Sequence, residues 1–145
     1  MIFKAFTIIC VTATIYHADP AQCNDDFLTT ASMKTIEDPN NPERWIAVSR
    51  DLESMGFTMG EKVIVTGAGD MDGEWTIEDR MNKRWKNRID FLVPKKIKAG
   101  KWEKVTLKLK IDIESTYGNP NEIRAMSKMS ILKAIWLSKI IRVRV

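Results

Sequence analysis

Apolar and polar residues alternate most cleanly from Trp102 to Ile113, where Val105, Leu107, Leu109, Ile111 and Ile113 are separated by Thr106, Lys108, Lys110 and Asp112. A two-residue period buries one set of side chains and leaves the other in water, so the stretch is predicted to be a strand. Its lysine-rich face reads as a solvated edge that resists further pairing. The same period recurs in Val11–Tyr16, where Val11, Ala13 and Ile15 alternate with Thr12, Thr14 and Tyr16, in a composition that favours extended backbone. It appears again where Trp75 and Ile77 alternate with Glu74, Thr76 and Glu78, before a terminal Asp79. Three shorter runs, Trp45–Val48, Glu61–Thr66 and Arg88–Val93, complete a mainly β reading with six strands. Ser49 sits where an N-cap belongs, so a short helix is expected over Arg50–Met55, closed by Gly56.

Between these elements the chain is punctuated by turn residues. Asp19–Asn41 is rich in Asp, Asn, Pro and Thr and is expected to form one long irregular connection, a length that in a compact domain usually carries function. Gly67–Gly73 reads as a hairpin loop with a tight Asp-Gly turn. Its Gly-Ala-Gly is no dinucleotide fingerprint, because it precedes a strand and lacks the third glycine. From Asn121 onward, Ile123, Met126, Ile131, Leu132, Ile135, Trp136, Ile140 and Ile141 follow helical spacing among Arg124, Lys128, Lys133 and Lys139. The expected organisation is therefore a β domain over residues 1–113 and a basic amphipathic helical appendix over 114–145. That helix would pack on the domain, dock a protein partner or lie on a membrane surface, and its apolar run is too interrupted for a span.

The N-terminal stretch carries a Lys followed by apolar residues, but its threonines and the bulky Tyr16 fit a folded strand better than a cleavable export signal. Composition then narrows the chemistry. A chain of 145 residues can bury a core without staples, and its formal charge of +4 favours a polyanionic neighbourhood without selecting one. The single His and two Cys, Cys10 and Cys23, are too few for a convincing zinc site. No metal or cofactor is expected, and whether the cysteines pair is left open by sequence.

Asp79 and Asp90 are the candidate chemical residues. Asp90 interrupts the apolar run Ile89, Phe91, Leu92, Val93, so it faces either solvent or a site, since burying an unpaired carboxylate is expensive. A strand ending in Asp, a short polar run, and an apolar strand holding a second Asp resemble the double-psi β-barrel superfamily. The resemblance runs through VTATIY from Val11, TA at Thr30 and Ala31, WIAVS from Trp45, GEKVIVTGAG from Gly60, WTIEDRMNKRWKNRIDFLV from Trp75 and AGKWEKVTLKL from Ala99. It is strongest to the three-aspartate domain of bacterial cell-wall proteins, the C-terminal part of membrane-bound lytic transglycosylase A, and rare lipoprotein A.

The resemblance implies a six-stranded double-psi β-barrel with a groove for peptidoglycan glycan strands, cleaved in active members between N-acetylmuramic acid and N-acetylglucosamine. It also implies Asp79 as catalytic acid and Asp90 as the second aspartate. The third aspartate of the trio falls at Ser49, with Asp51 out of register. A lytic transglycosylase needs one acid that protonates the glycosidic oxygen and then, as carboxylate, takes the proton of the sugar's own 6-hydroxyl, so water is not the nucleophile. Arg80 would lower the Asp79 pKa if its side chain turned towards it. Tyr16, Thr30, Arg80, Asn82 and Trp85 are candidate substrate-binding residues, through stacking and hydrogen bonding. Each has an ordinary alternative: Trp85 in the core, Asn82 capping a turn, Thr30 bonded to backbone. The rival functions are a non-catalytic glycan-binding or assembly module, such as a phage virion or cell-envelope component docked through the C-terminal helix, and an expansin-like protein. The expected location is correspondingly the cell envelope or periplasm, or a virion, with no specific nucleic-acid partner.

Overall fold

A computed structural model describes residues 3–21 and 26–113, without the side chains of 3–5 and 110–113. The strands are β1 (Phe3–Tyr16), β2 (Trp45–Val48), β3 (Lys62–Thr66), β4 (Gly73–Arg80), β5 (Arg88–Leu92) and β6 (Lys101–Ile113). A five-residue helix α1 (Arg50–Ser54) and a short 3-10 turn at Gly69–Met71 are the described helical pieces. The strands close into a six-stranded barrel in the order β1-β5-β2-β4-β3-β6. Backbone contacts gather Thr7–Leu109 into one compact unit. The expected C-terminal helix and Cys23 lie outside the described residues. Among those residues, no helix is long and apolar enough to cross a membrane.

Pairing is mixed. β1 runs parallel to β5 and β2 parallel to β4, while β2 with β5, β3 with β4, and β3 with β6 are antiparallel. In the closed order β5 lies between β1 and β2, and β2 lies between β5 and β4. The connection from β1 to β2 therefore spans β5, and the connection from β4 to β5 spans β2. Two interlocked crossings of this kind are compatible with a double-psi barrel.

Alternation fills the interior. Val11 and Ala13 of β1, Ile46 and Val48 of β2, Val63 and Val65 of β3, Ile89 and Phe91 of β5, and Val105, Leu107 and Leu109 of β6 are all buried. Each fully buried Val, Leu, Ile or Phe contributes roughly 1.5–3 kcal/mol relative to exposure. Trp75 and Phe91 meet with ring centroids 4.7 Å apart, and Trp102 packs edge-on to Phe91 at 5.8 Å. β6 is not the edge strand its lysines suggested: it pairs with β3, and barrel closure leaves its polar face in solvent with its backbone paired.

Two local expectations change. The Gly67–Gly73 loop does join β3 and β4 as a hairpin, but through a 3-10 turn in place of a tight Asp-Gly turn, pinned by the Asp72 carboxylate accepting from the Ala68 amide at 2.6 Å. Gly73 leaves it at φ 119°, a conformation that a side chain would strain. Ser49 does precede α1, but its hydroxyl caps no helix amide. It is fully buried and accepts instead from the Arg88 amide at 3.0 Å, tying α1 to the start of β5.

Candidate functional site

A row of residues crosses four neighbouring strands. Thr14 of β1 is the register partner of Asp90 on β5, Asp90 is the partner of Ala47 on β2, and Ala47 is the partner of Asp79 on β4. The buried neighbours of Thr14, Ala47 and Asp90 along their strands, Ala13, Ile46, Val48, Ile89 and Phe91, are core residues. By alternation the row lies on the opposite face. With strands about 4.8 Å apart, the two aspartate Cα atoms stand roughly 10 Å from each other. Ala47 between them is the smallest side chain available short of glycine, so the space above it is open to a ligand.

Asp79 reaches this face through a bulge. On strict alternation it would share the buried face of Trp75 and Ile77. The register instead slips: Ile46 pairs with Ile77 but Ala47 pairs with Asp79, so β4 carries one extra residue, Glu78. One extra residue flips everything that follows to the other face. Asp79 thereby turns towards Asp90, and Glu78, expected to face water, becomes 1 % exposed. Its carboxylate is compensated by an ion pair with the Lys34 ammonium, and its carbonyl accepts from the Ser32 amide at 3.0 Å.

The two crossing connections wall a cleft of about 490 Å³ above the row, within the roughly 300–1,000 Å³ usual for ligand sites. Asp26, Phe27, Thr29 and Ile36 come from the first connection, Met81 to Trp85 from the second, and Tyr16, Ala47, Asp79 and Asp90 from the strands beneath. Arg50 and Arg80 complete the lining.

Within it the carboxylates differ. Asp79 accepts from the Tyr16 hydroxyl at 3.1 Å through Oδ2, and from the amides of Ala31 at 3.0 Å and Arg80 at 2.8 Å through Oδ1. Asp90 accepts from the Thr14 hydroxyl. Burial pushes the Asp90 carboxyl above the ordinary carboxylate range; the Thr14 hydroxyl and Arg88 pull it back, and the neighbouring Asp79 charge adds to the rise.

Of the candidates read from sequence, Tyr16, Asp79, Arg80, Asn82, Trp85 and Asp90 come together in the cleft, and Thr30 lies outside its lining. The Thr30 side chain is buried, with its hydroxyl bonded to the Lys34 carbonyl at 3.2 Å and beside the Ser32 hydroxyl at 2.9 Å. Arg80 turns its guanidinium to Glu53, Nε lying 2.9 Å from both carboxylate oxygens. Asn82 closes a turn through its side-chain oxygen on the Arg84 amide at 3.1 Å. Trp85 is half-buried, with the Arg84 and Arg88 guanidinium carbons 4.9 and 4.3 Å from its ring centroid.

At the missing aspartate, Ser49 holds β5 as described, and Asp51 accepts from the Asn87 amide at 2.8 Å. Burial works against its charge, but the bonds from Ser49 and the Asn87 amide outweigh that and hold its pKa low. Thr14, Ala47 and Arg50 escaped sequence reasoning. Thr14 and Ala47 each carried a signal, as the off-core member of an alternating run, but nothing in the sequence revealed which strands would be neighbours. Among the described residues no cluster of His, Cys, Asp and Glu could hold a metal ion. Comparison of the chain with protein-family models, with curated proteins and with solved structures finds no match.

Proposed function

We propose that this cleft takes a glycan strand and that the Asp79–Asp90 pair cleaves its glycosidic bond, with peptidoglycan as the substrate class that the double-psi resemblance implies. The observation that supports this reading is the alignment of two carboxylates in one cleft across a single intervening alanine. A general acid works best with a pKa raised towards the working pH, and Asp90 is the carboxyl that burial raises. Asp90 is thus the better proton donor, while Asp79, oriented by Tyr16 and two amides, suits stabilising positive charge that develops on the sugar. The resemblance alone would give Asp79 the acid role. Tyr16 and Trp85 place aromatic rings, a side-chain type that packs on sugars, in the cleft lining.

A second reading rests on the bonds of Asp79 itself. They tie the Ala31 turn to the end of β4, a structural duty that a non-catalytic glycan-binding or assembly module would retain.

Digestion of purified peptidoglycan by the wild type, Asp79→Asn and Asp90→Asn separates the readings, with products identified by mass spectrometry. Anhydro-muropeptides from the wild type, reduced about 10²–10⁴-fold in Asp90→Asn, are expected of a lytic transglycosylase using Asp90. Products carrying added water would turn the mechanism to hydrolysis. Glycan binding without any cleavage would leave the binding module.

A further inference from the structure

The turn at residues 28–36 meets β4 at two consecutive residues of the bulge. The Ser32 amide donates to the Glu78 carbonyl at 3.0 Å, the Lys34 ammonium pairs with the buried Glu78 carboxylate, and the Ala31 amide donates to Asp79 Oδ1 at 3.0 Å. The base of the turn is fixed separately. Thr29 and Thr35 form a bridge, the Ile36 amide donates to the Leu28 carbonyl at 2.7 Å, and Ile36 packs with Ala18 and Leu92. Thr29 and Ile36 line the cleft. The tip is held differently. Met33 is exposed and stands at φ 65°, uncommon for a residue with a side chain, and such a conformation persists where contacts on either side hold it. Those flanking contacts are the Ser32 amide and the Lys34 ammonium, both on Glu78.

The bonds to Glu78 and Asp79 are unequal. Ala31 is exposed and Asp79 half-buried, so parting them returns both groups to water. Glu78 is 1 % exposed, so parting it from Lys34 leaves an unpaired carboxylate in the interior, which is far less favourable. We infer that Glu78 and Lys34 are positioning residues for the site: they hold the tip of the turn against β4, so that Asp79 is oriented by the Ala31 amide without having to fasten the cleft wall. This rests on the glycan-cleavage reading above, and it takes from Asp79 the structural duty that would compete with chemistry. The bulge then has two linked effects. It turns Asp79 into the cleft, and it buries beside it the acid that anchors the turn facing Asp79.

The test begins with amide hydrogen exchange, followed by NMR on the full-length chain without ligand. Exchange at Ser32 is read relative to the β3–β6 ladder, which removes any change in global stability. Lys34→Met is expected to speed Ser32 exchange about tenfold or more against the ladder, and Lys34→Arg, keeping the charge, to restore it. Asp79→Ala, which removes the acceptor of the Ala31 amide, should leave Ser32 protected. Unchanged Ser32 exchange in Lys34→Met, or equal loss of protection in Asp79→Ala, would overturn the proposal. The same Lys34 variants are then compared in peptidoglycan digestion at saturating substrate. Lys34→Met should lower the rate about tenfold and Lys34→Arg should recover it. A freed tip with an undiminished rate would overturn the positioning role and leave the cleavage reading standing. Absence of cleavage by the wild type would overturn that reading, and the role assigned to Glu78 and Lys34 with it.

Discussion

Along β3 and the central part of β6, buried and more exposed residues alternate without a break, whereas near the end of β4 two consecutive residues, Ile77 and Glu78, are both buried. The first region is built by periodicity alone: Val63 and Val65 meet Leu109 and Leu107 in antiparallel register, and Lys62 and Ile64 face outward. The second is built by a broken period. A single slipped residue places an acid in the interior, obliges Lys34 to come over it, and turns Asp79 into the cleft. The regular wall contributes stability. The irregular end spends some of that stability on arranging charged groups that a regular barrel would leave in water.

If the contrast holds, variants should divide by region. The largest effect belongs to the regular wall: Leu107→Ala, at a fully buried position, should cost about 2–5 kcal/mol, read as a shift in the urea unfolding midpoint. A cost well under 1 kcal/mol would mean that the wall is not closely packed. Next comes Lys34→Met at the bulge. It leaves the Glu78 carboxylate unpaired in the interior and should cost about 1–3 kcal/mol, less than a fully buried pair because Lys34 is itself half exposed. An unchanged midpoint would separate the bulge from its ion pair.

The smallest effect has the opposite sign. Asp90 has its pKa raised by burial, so between its unfolded value near 3.8 and its folded value the native state holds the proton more tightly than the unfolded chain. Stability therefore falls as pH rises through that window. Asp90→Asn does not titrate and can still accept from Thr14, so it should be more stable than the wild type at neutral pH, with the advantage vanishing below the unfolded value. Unfolding curves at neutral and acid pH check both the sign and the window. A destabilised variant at neutral pH would mean that Asp90 is a structural anion rather than a group held for the site.

Much of the barrel was legible because local pattern and final burial agree there. Trp45–Val48 is a strand at those bounds, Arg88–Leu92 ends one residue short of the expected Val93, and β1 extends well before the expected Val11. Of the residues singled out in the sequence, Tyr16, Asp79, Arg80, Asn82, Trp85 and Asp90 border the cleft. Their arrangement was not legible. Arg80 had two possible directions, and Glu53, twenty-seven positions away, decided between them. Thr30 had the composition of a sugar-binding residue, yet its own turn consumed its hydroxyl.

Local pattern was enough to place the strands, the buried faces of the regular ones and two acids beside apolar runs, because a two-residue period and turn residues act over a few positions. Only the tertiary structure decided that Thr14, Asp90, Ala47 and Asp79 form one row, that Glu78 is buried, and that two connections enclose a cleft. Those outcomes depend on which strands become neighbours and on a one-residue slip between β2 and β4. Both are settled by closing the barrel around a shared core, a condition that no single stretch of the chain contains.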